Sequence, residues 1–127
     1  MRHCRTIEVV SRIVPTVVEA SAFARKAEKL LTDEEHNDLL IYLSLYYAVG
    51  DEIPGTGGVR KLRYAVQGRG KSGGVRVIYY YFDEQNPLYA MLLYGKNEQG
   101  NLSPDQMKYV TEMAAGVKAE AKARRRK

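Results

Sequence analysis

The 127-residue chain has one cysteine, two histidines and no run of apolar residues long enough to cross a bilayer. Each scarcity excludes something. A lone Cys4 cannot form an intramolecular disulfide and suits a reducing cytosol. Placed near a terminus, it reads as a half-buried thiol rather than a nucleophile. His3 and His36 have no second histidine or cysteine at ligand spacing, so no zinc site is expected. Residues 1–10 interrupt their apolar positions with charges and lack the continuous h-region of a secretory signal. A cytoplasmic protein without membrane contact is the expectation. Hydrophobic residues make up 45% of the chain, enough for a core, and the length suits one domain over residues 1–127.

Acid is missing where base is dense. Residues 1–52 hold six basic and nine acidic side chains, whereas residues 53–82 hold Arg60, Lys61, Arg63, Arg69, Lys71 and Arg76 and no acid at all. The net charge of +5 is therefore concentrated in the middle of the sequence, and a polyanion is its natural partner. An isolated charge run is more often a solvated face, so the case rests on what accompanies it.

Alternation of Ile7 and Val9 with Glu8 and Val10 predicts a strand over Arg5–Ser11. Pro15 suits a first helical turn, and Val17, Ala20, Ala24, Ala27 and Leu31 then form one apolar stripe. Thr32-Asp-Glu-Glu35 is a capping box opening a second helix, with Leu39, Leu40, Leu43, Tyr46 and Tyr47 inward and Gly50 as a left-handed stop. Three strands follow: 59–66, 75–83 and 88–96, with a glycine-rich loop at 68–74 and a turn at Asp83–Pro87. Ser103-Pro-Asp-Gln106 caps a last helix, and residues 118–127 are a basic tail expected to fray. The order β-α-α-β-β-β-α is an α+β pattern: a strand and two helices, an antiparallel three-strand meander in a sheet of about four strands, and a C-terminal helix.

Period two places Lys61 and Arg63 on one face of their strand, with Leu62, Tyr64 and Val66 opposite. Arg76 opens the next strand, and Lys96 is in phase with Tyr94 on the last. A meander brings these four cations towards one surface. RNA carries its own nucleophile in the 2′-hydroxyl, so cleavage without a metal needs a base, cations for the phosphorane charge and an acid for the leaving oxygen. Arginine never deprotonates and binds phosphate bidentately, which casts it as stabiliser. Ammonium groups crowded among guanidinium groups give up protons more readily, as a base must. The tyrosines at 64, 79, 80, 81 and 89 read mainly as core, whereas Tyr94, beside Gly95-Lys96, is the candidate platform for a stacked base.

Four linked segments, Gly50-Asp-Glu-Ile-Pro-Gly-Thr-Gly-Gly58, Val59-Arg-Lys-Leu-Arg63, Gly68-Arg-Gly-Lys-Ser-Gly-Gly-Val-Arg-Val-Ile-Tyr-Tyr80 and Tyr94-Gly-Lys-Asn-Glu98, resemble the RelE superfamily in its HigB-like branch. The likeness is close over about half the chain. It implies a RelE-like fold and the toxin of a type II toxin–antitoxin pair, an endoribonuclease that needs no cofactor. Its implied partners are mRNA in the ribosomal A site, the ribosome with its rRNA, and a protein antitoxin that often carries a helix-turn-helix. The family's catalytic cations fall on Lys61, Arg63 and Arg76, and its Gly-Lys strand end on Gly95-Lys96. This implies phosphate stabilisation by Arg63 and Arg76, proton transfer or orientation by Lys61, and backbone contact by Lys96. Arg60, Arg69, Lys71 and Tyr94 are the remaining candidates for RNA binding. The chain departs from the family in having Asn97 where an arginine follows Gly-Lys, and no tyrosine in residues 99–106. Two other readings keep the cationic sheet without catalysis: an RNA- or ribosome-binding regulatory module, and a structural protein that docks on an acidic antitoxin.

Overall fold

A computed structural model describes residues 15–66 and 74–125. The strand expected at Arg5–Ser11, together with Arg69 and Lys71, lies outside the described residues. In chain order the elements are β1 (Val17–Glu19), α1 (Ser21–Leu30), α2 (Asp33–Leu45), β2 (Asp51–Glu52), β3 (Arg60–Tyr64), β4 (Val75–Tyr81), β5 (Leu88–Gly95) and α3 (Pro104–Arg125).

The strands form one mixed sheet in the order β1-β5-β4-β3-β2. The antiparallel β3-β4-β5 meander is as the sequence suggests. The fifth strand comes from β1, which runs parallel to β5 with Val17 opposite Leu88 and Glu19 opposite Ala90. Val17 was expected in the first helix, and it lies in a strand instead. Two adjacent valines favour the pleated conformation, and hydrogen bonds from Leu88 N–H to the Thr16 carbonyl and from Ala20 N–H to the Ala90 carbonyl tie the segment to β5. With α1 starting only at Ser21, its buried residues are Phe23 and Ala27. Beginning the helix six residues too early hides Phe23 from the apolar stripe.

Thr32 caps α2 as expected: its hydroxyl accepts from Glu35 N–H at 3.1 Å while the Glu35 carboxylate accepts from Thr32 N–H at 2.8 Å. Leu39 and Leu43 are buried, but Tyr46, expected to face inward, is 49% exposed because the helix has already ended at Leu45. Gly50 is not in the left-handed region; among the described residues the positive-φ positions are Gly55, Gly57 and Gly58. These three turn the chain into β3 around the buried Thr56, whose hydroxyl donates to the Ile53 carbonyl (2.6 Å) and accepts from Val59 N–H (3.1 Å).

The sheet is covered on both faces. One face carries Leu62, Val75, Val77, Tyr79, Leu88 and Ala90, packed with Phe23 and Ala27 of α1 and Leu39 and Leu43 of α2. The other carries Ile78, Tyr80, Met91 and Tyr94 with Val59, under Val110 and Ala114 of α3. A register shift at Ile78/Tyr79, where Met91 is the extra residue of β5, preserves both apolar faces. Ser103 and Gln106 cap α3 reciprocally. The expected frayed tail is corrected over residues 118–125, which are the last turns of α3. Arg124 donates to Asn86 Oδ1 at 2.6 Å, while Arg125 is ion-paired with Asp83 and lies over the Phe82 ring.

Candidate nucleic-acid interface

The strand register decides which side chains meet. Arg63 of β3 is directly opposite Arg76 of β4, and Arg76 is directly opposite Tyr94 of β5. Directly opposed residues share a face, so the three form a row across the meander on the α3 side of the sheet. Lys96 follows two residues after Tyr94, and its N–H donates to the Gly74 carbonyl at 3.1 Å, which closes the end of the β4-β5 pair. Arg63, Arg76 and Lys96, with Tyr64, Ala65 and Gly74, line a shallow cleft of about 190 Å³. Lys61 is on the same face one row further in, opposite Ile78, and is half-buried without lining the cleft.

Two cations directly across a sheet repel each other. Among the described residues, none of Lys61, Arg63, Arg76 and Lys96 has an ion pair, although other cations of the protein do: Lys26 with Glu98, Arg60 with Glu52, Arg124 with Glu120 and Arg125 with Asp83. Glu98 is the acid of the Tyr94–Glu98 segment. Its carboxyl is held below the usual carboxylate range, first by the hydrogen bond from Lys26 of α1 and then by Gly95 N–H, so it stays ionised and engaged. The cleft therefore presents uncompensated positive charge at a lip made of backbone and small residues. Such an arrangement has the charge and the opening to receive an anion.

Arg60 behaves differently. It shares the opposite face with Leu62 and Tyr64, and its guanidinium donates to the Gly50 carbonyl at 2.6 Å and the Ala48 carbonyl at 3.2 Å, with Glu52 3.6 Å away. An RNA contact expected of Arg60 is thus replaced by a structural one: it anchors the segment between α2 and β2. Tyr94 is corrected as well. It is 2% exposed and packed in the core under α3, so its ring offers no face to a base. Burial pushes its hydroxyl pKa up, and the nearby Arg76 guanidinium partly offsets this. The hydroxyl itself is buried with no hydrogen-bond partner.

Of the other strand tyrosines, Tyr79 and Tyr80 are buried in the core and Tyr64, Tyr81 and Tyr89 are partly buried against it, as their strand phase suggested. Tyr79 accepts from Gly50 N–H at 2.9 Å, Tyr80 stacks with Phe82 at 6.5 Å between centroids, and Tyr64 and Tyr81 lie against Tyr42 and Tyr47 of the α2 region at 5.2 and 4.5 Å. Sequence reasoning missed Tyr64, Ala65 and Gly74 as cleft walls. They flank the glycine loop in sequence, which is the signal that points to them. A larger cavity of about 340 Å³ lies between Thr56-Gly57 and α3 beside Lys118 and Lys122, and none of the four cations lines it. Among the described residues no cluster of three or more His, Cys, Asp or Glu is arranged to hold a metal. No helix among them is long and apolar enough to cross a membrane.

Compared with known families, residues 17–125 match the model of the RelE toxin of the RelE / RelB toxin–antitoxin system. The chain belongs to the RelE toxin family. As a RelE-family toxin it is one half of a pair whose other half is an antitoxin. The match runs from β1 to the last turn of α3, so it includes the short parallel strand and the helical C-terminus that sequence patterns misassigned. RelE toxins are mRNA-cleaving endoribonucleases.

Proposed function

We propose that this RelE-family toxin is a ribosome-dependent endoribonuclease that cleaves translated mRNA in the A site without a metal. The observation that carries the reading is the unpaired trio Arg63, Arg76 and Lys96 around one cleft at the end of the meander. In the reaction the mRNA 2′-oxygen attacks the adjacent phosphorus and gives up its proton, while the P–O5′ bond breaks and the leaving oxygen takes a proton. The products are a 2′,3′-cyclic phosphate and a 5′-hydroxyl. Arg63 and Arg76 straddle the scissile phosphate and stabilise the charge on its non-bridging oxygens. Lys96, at the exposed rim, holds the neighbouring backbone. Lys61, behind Arg63 on the same face, moves or orients the attacking proton. The glycine loop with Arg69 and Lys71 adds phosphate contacts along the strand. The toxin acts in the cytoplasm, and an antitoxin protein of the helix-turn-helix kind neutralises it.

Primer extension on mRNA in a translation extract tests the reading. Wild-type toxin gives cuts within translated codons, and Arg76→Ala or Arg63→Ala lowers the rate of cutting by roughly a hundredfold or more, as loss of a preorganised charge stabiliser does. Ribosome binding without cuts by the wild-type protein identifies a regulatory binding module instead.

A further inference from the structure

Two groups in the cationic row are each incomplete. A guanidinium has five N–H donors in a fixed fork, and a phosphate engages two of them. The Arg76 guanidinium has no hydrogen bond or ion pair among the described residues, although its backbone is held in the sheet. Directly opposite it in the register is Tyr94, a residue only 2% exposed, whose hydroxyl is buried and has no hydrogen-bond partner among the described residues. A buried hydroxyl left unsatisfied is destabilising, and native proteins keep few of them. An orphan acceptor and an arginine with unused donors thus occupy opposed register positions on one face, near enough for the guanidinium to act on the hydroxyl's proton equilibrium.

We infer that Tyr94 is a positioning residue for Arg76: when a phosphate enters the cleft, the guanidinium settles between the phosphate and the Tyr94 hydroxyl, which accepts one of its N–H groups. The hydroxyl touches no substrate, being outside the cleft lining. It fixes the plane of the fork so that the remaining donors meet the non-bridging oxygens in parallel. The alternative carrier of that role, a carboxylate, would neutralise the charge that the phosphorane needs. A neutral phenol orients Arg76 and leaves its charge intact. Burial also serves the role, because a hydroxyl locked in the core has no rotamer freedom to lose and no water to compete for it. The ring's packing under α3 is therefore the support, and its hydroxyl is the working part.

The inference rests on the proposed ribonuclease reading, and the test separates the two. Tyr94→Phe keeps the ring and removes only the unpartnered oxygen. Its melting temperature is expected to stay the same or rise, while the single-turnover rate of mRNA cleavage on programmed ribosomes falls roughly ten- to a hundredfold. The fall is expected in the rate at saturating ribosome concentration, with half-saturation unchanged, because orientation matters once the phosphate is bound. In an Arg76→Lys background, whose ammonium has no fork to orient, Tyr94→Phe is expected to cost less than about threefold further. Wild-type-like cleavage by Tyr94→Phe overturns the inference, as does an undiminished loss in the Arg76→Lys background. Either result leaves the ribonuclease reading standing, whereas absence of cuts by the wild-type protein removes that reading instead.

Discussion

A hydrogen is all that the Tyr79 ring leaves room for on the α-carbon of Gly50. A methyl group there would be 2.8 Å from Tyr79 Oη, 2.9 Å from its Cε1 and 3.0 Å from the Lys61 carbonyl oxygen. Neither neighbour yields easily, since Tyr79 is fully buried and its hydroxyl accepts the Gly50 N–H, and the carbonyl belongs to β3. Gly50→Ala is expected to lose about 1–3 kcal/mol of stability through overpacking. Gly100→Ala, where an added methyl meets nothing within 4 Å, is expected to stay within about 0.5 kcal/mol of wild type. Urea melts of the two variants decide this, and equal stabilities contradict the close approach. The same residue explains a local reading that failed. Glycine after an apolar helix suggests a left-handed stop, but here the demand on Gly50 is steric and comes from a tyrosine 29 residues away, which no local pattern reports.

At the scale of elements, signals that are complete within a few residues were legible. Both capping boxes, the meander and the separation of Leu62 from Lys61 and Arg63 follow from spacing alone. Thr32→Ala is accordingly expected to cost about 1 kcal/mol, measured by chemical denaturation, because it leaves Glu35 N–H unbonded at a solvent-facing helix start. An unchanged midpoint shows that water replaces the cap without loss. What sequence did not convey depends on long-range pairing. Val17 and Val18 adopt a strand because β5 has a free edge to which they pair in parallel. The last turns of α3 are ordered because Arg124 and Arg125 meet Asn86 and Asp83 of the β4-β5 turn. In the site, phase along each strand grouped Lys61 with Arg63 and Tyr94 with Lys96, but only the register shows Arg63, Arg76 and Tyr94 in one row. Helix α3 then decides that Tyr94 lies beneath a helix instead of facing a base, and Arg60 is set apart from its neighbours by parity and by the carbonyls of residues 48 and 50.

Across the whole molecule, the acidic start of α2, Asp33-Glu34-Glu35, and the cleft cations stand on different faces of the sheet. Polyelectrolyte behaviour then distinguishes cations that meet the ligand from cations that are merely present. Each phosphate neutralised on a single strand adds about −0.7 to the slope of log affinity against log salt, so the three cleft cations alone supply about −2. A short single-stranded RNA carrying 2′-O-methyl groups binds without being cut, and its fluorescence anisotropy titrated at several salt concentrations gives the slope. Arg63→Ala is expected to make the slope shallower by about 0.7, since the side chain lines the cleft and has no protein partner among the described residues. Arg60→Ala removes the same formal charge three residues earlier, yet is expected to leave the slope unchanged, because that guanidinium is bound to two backbone carbonyls on the opposite face. Equal changes for the two variants mean that net charge alone attracts the RNA and that the cleft confers no geometry on the encounter.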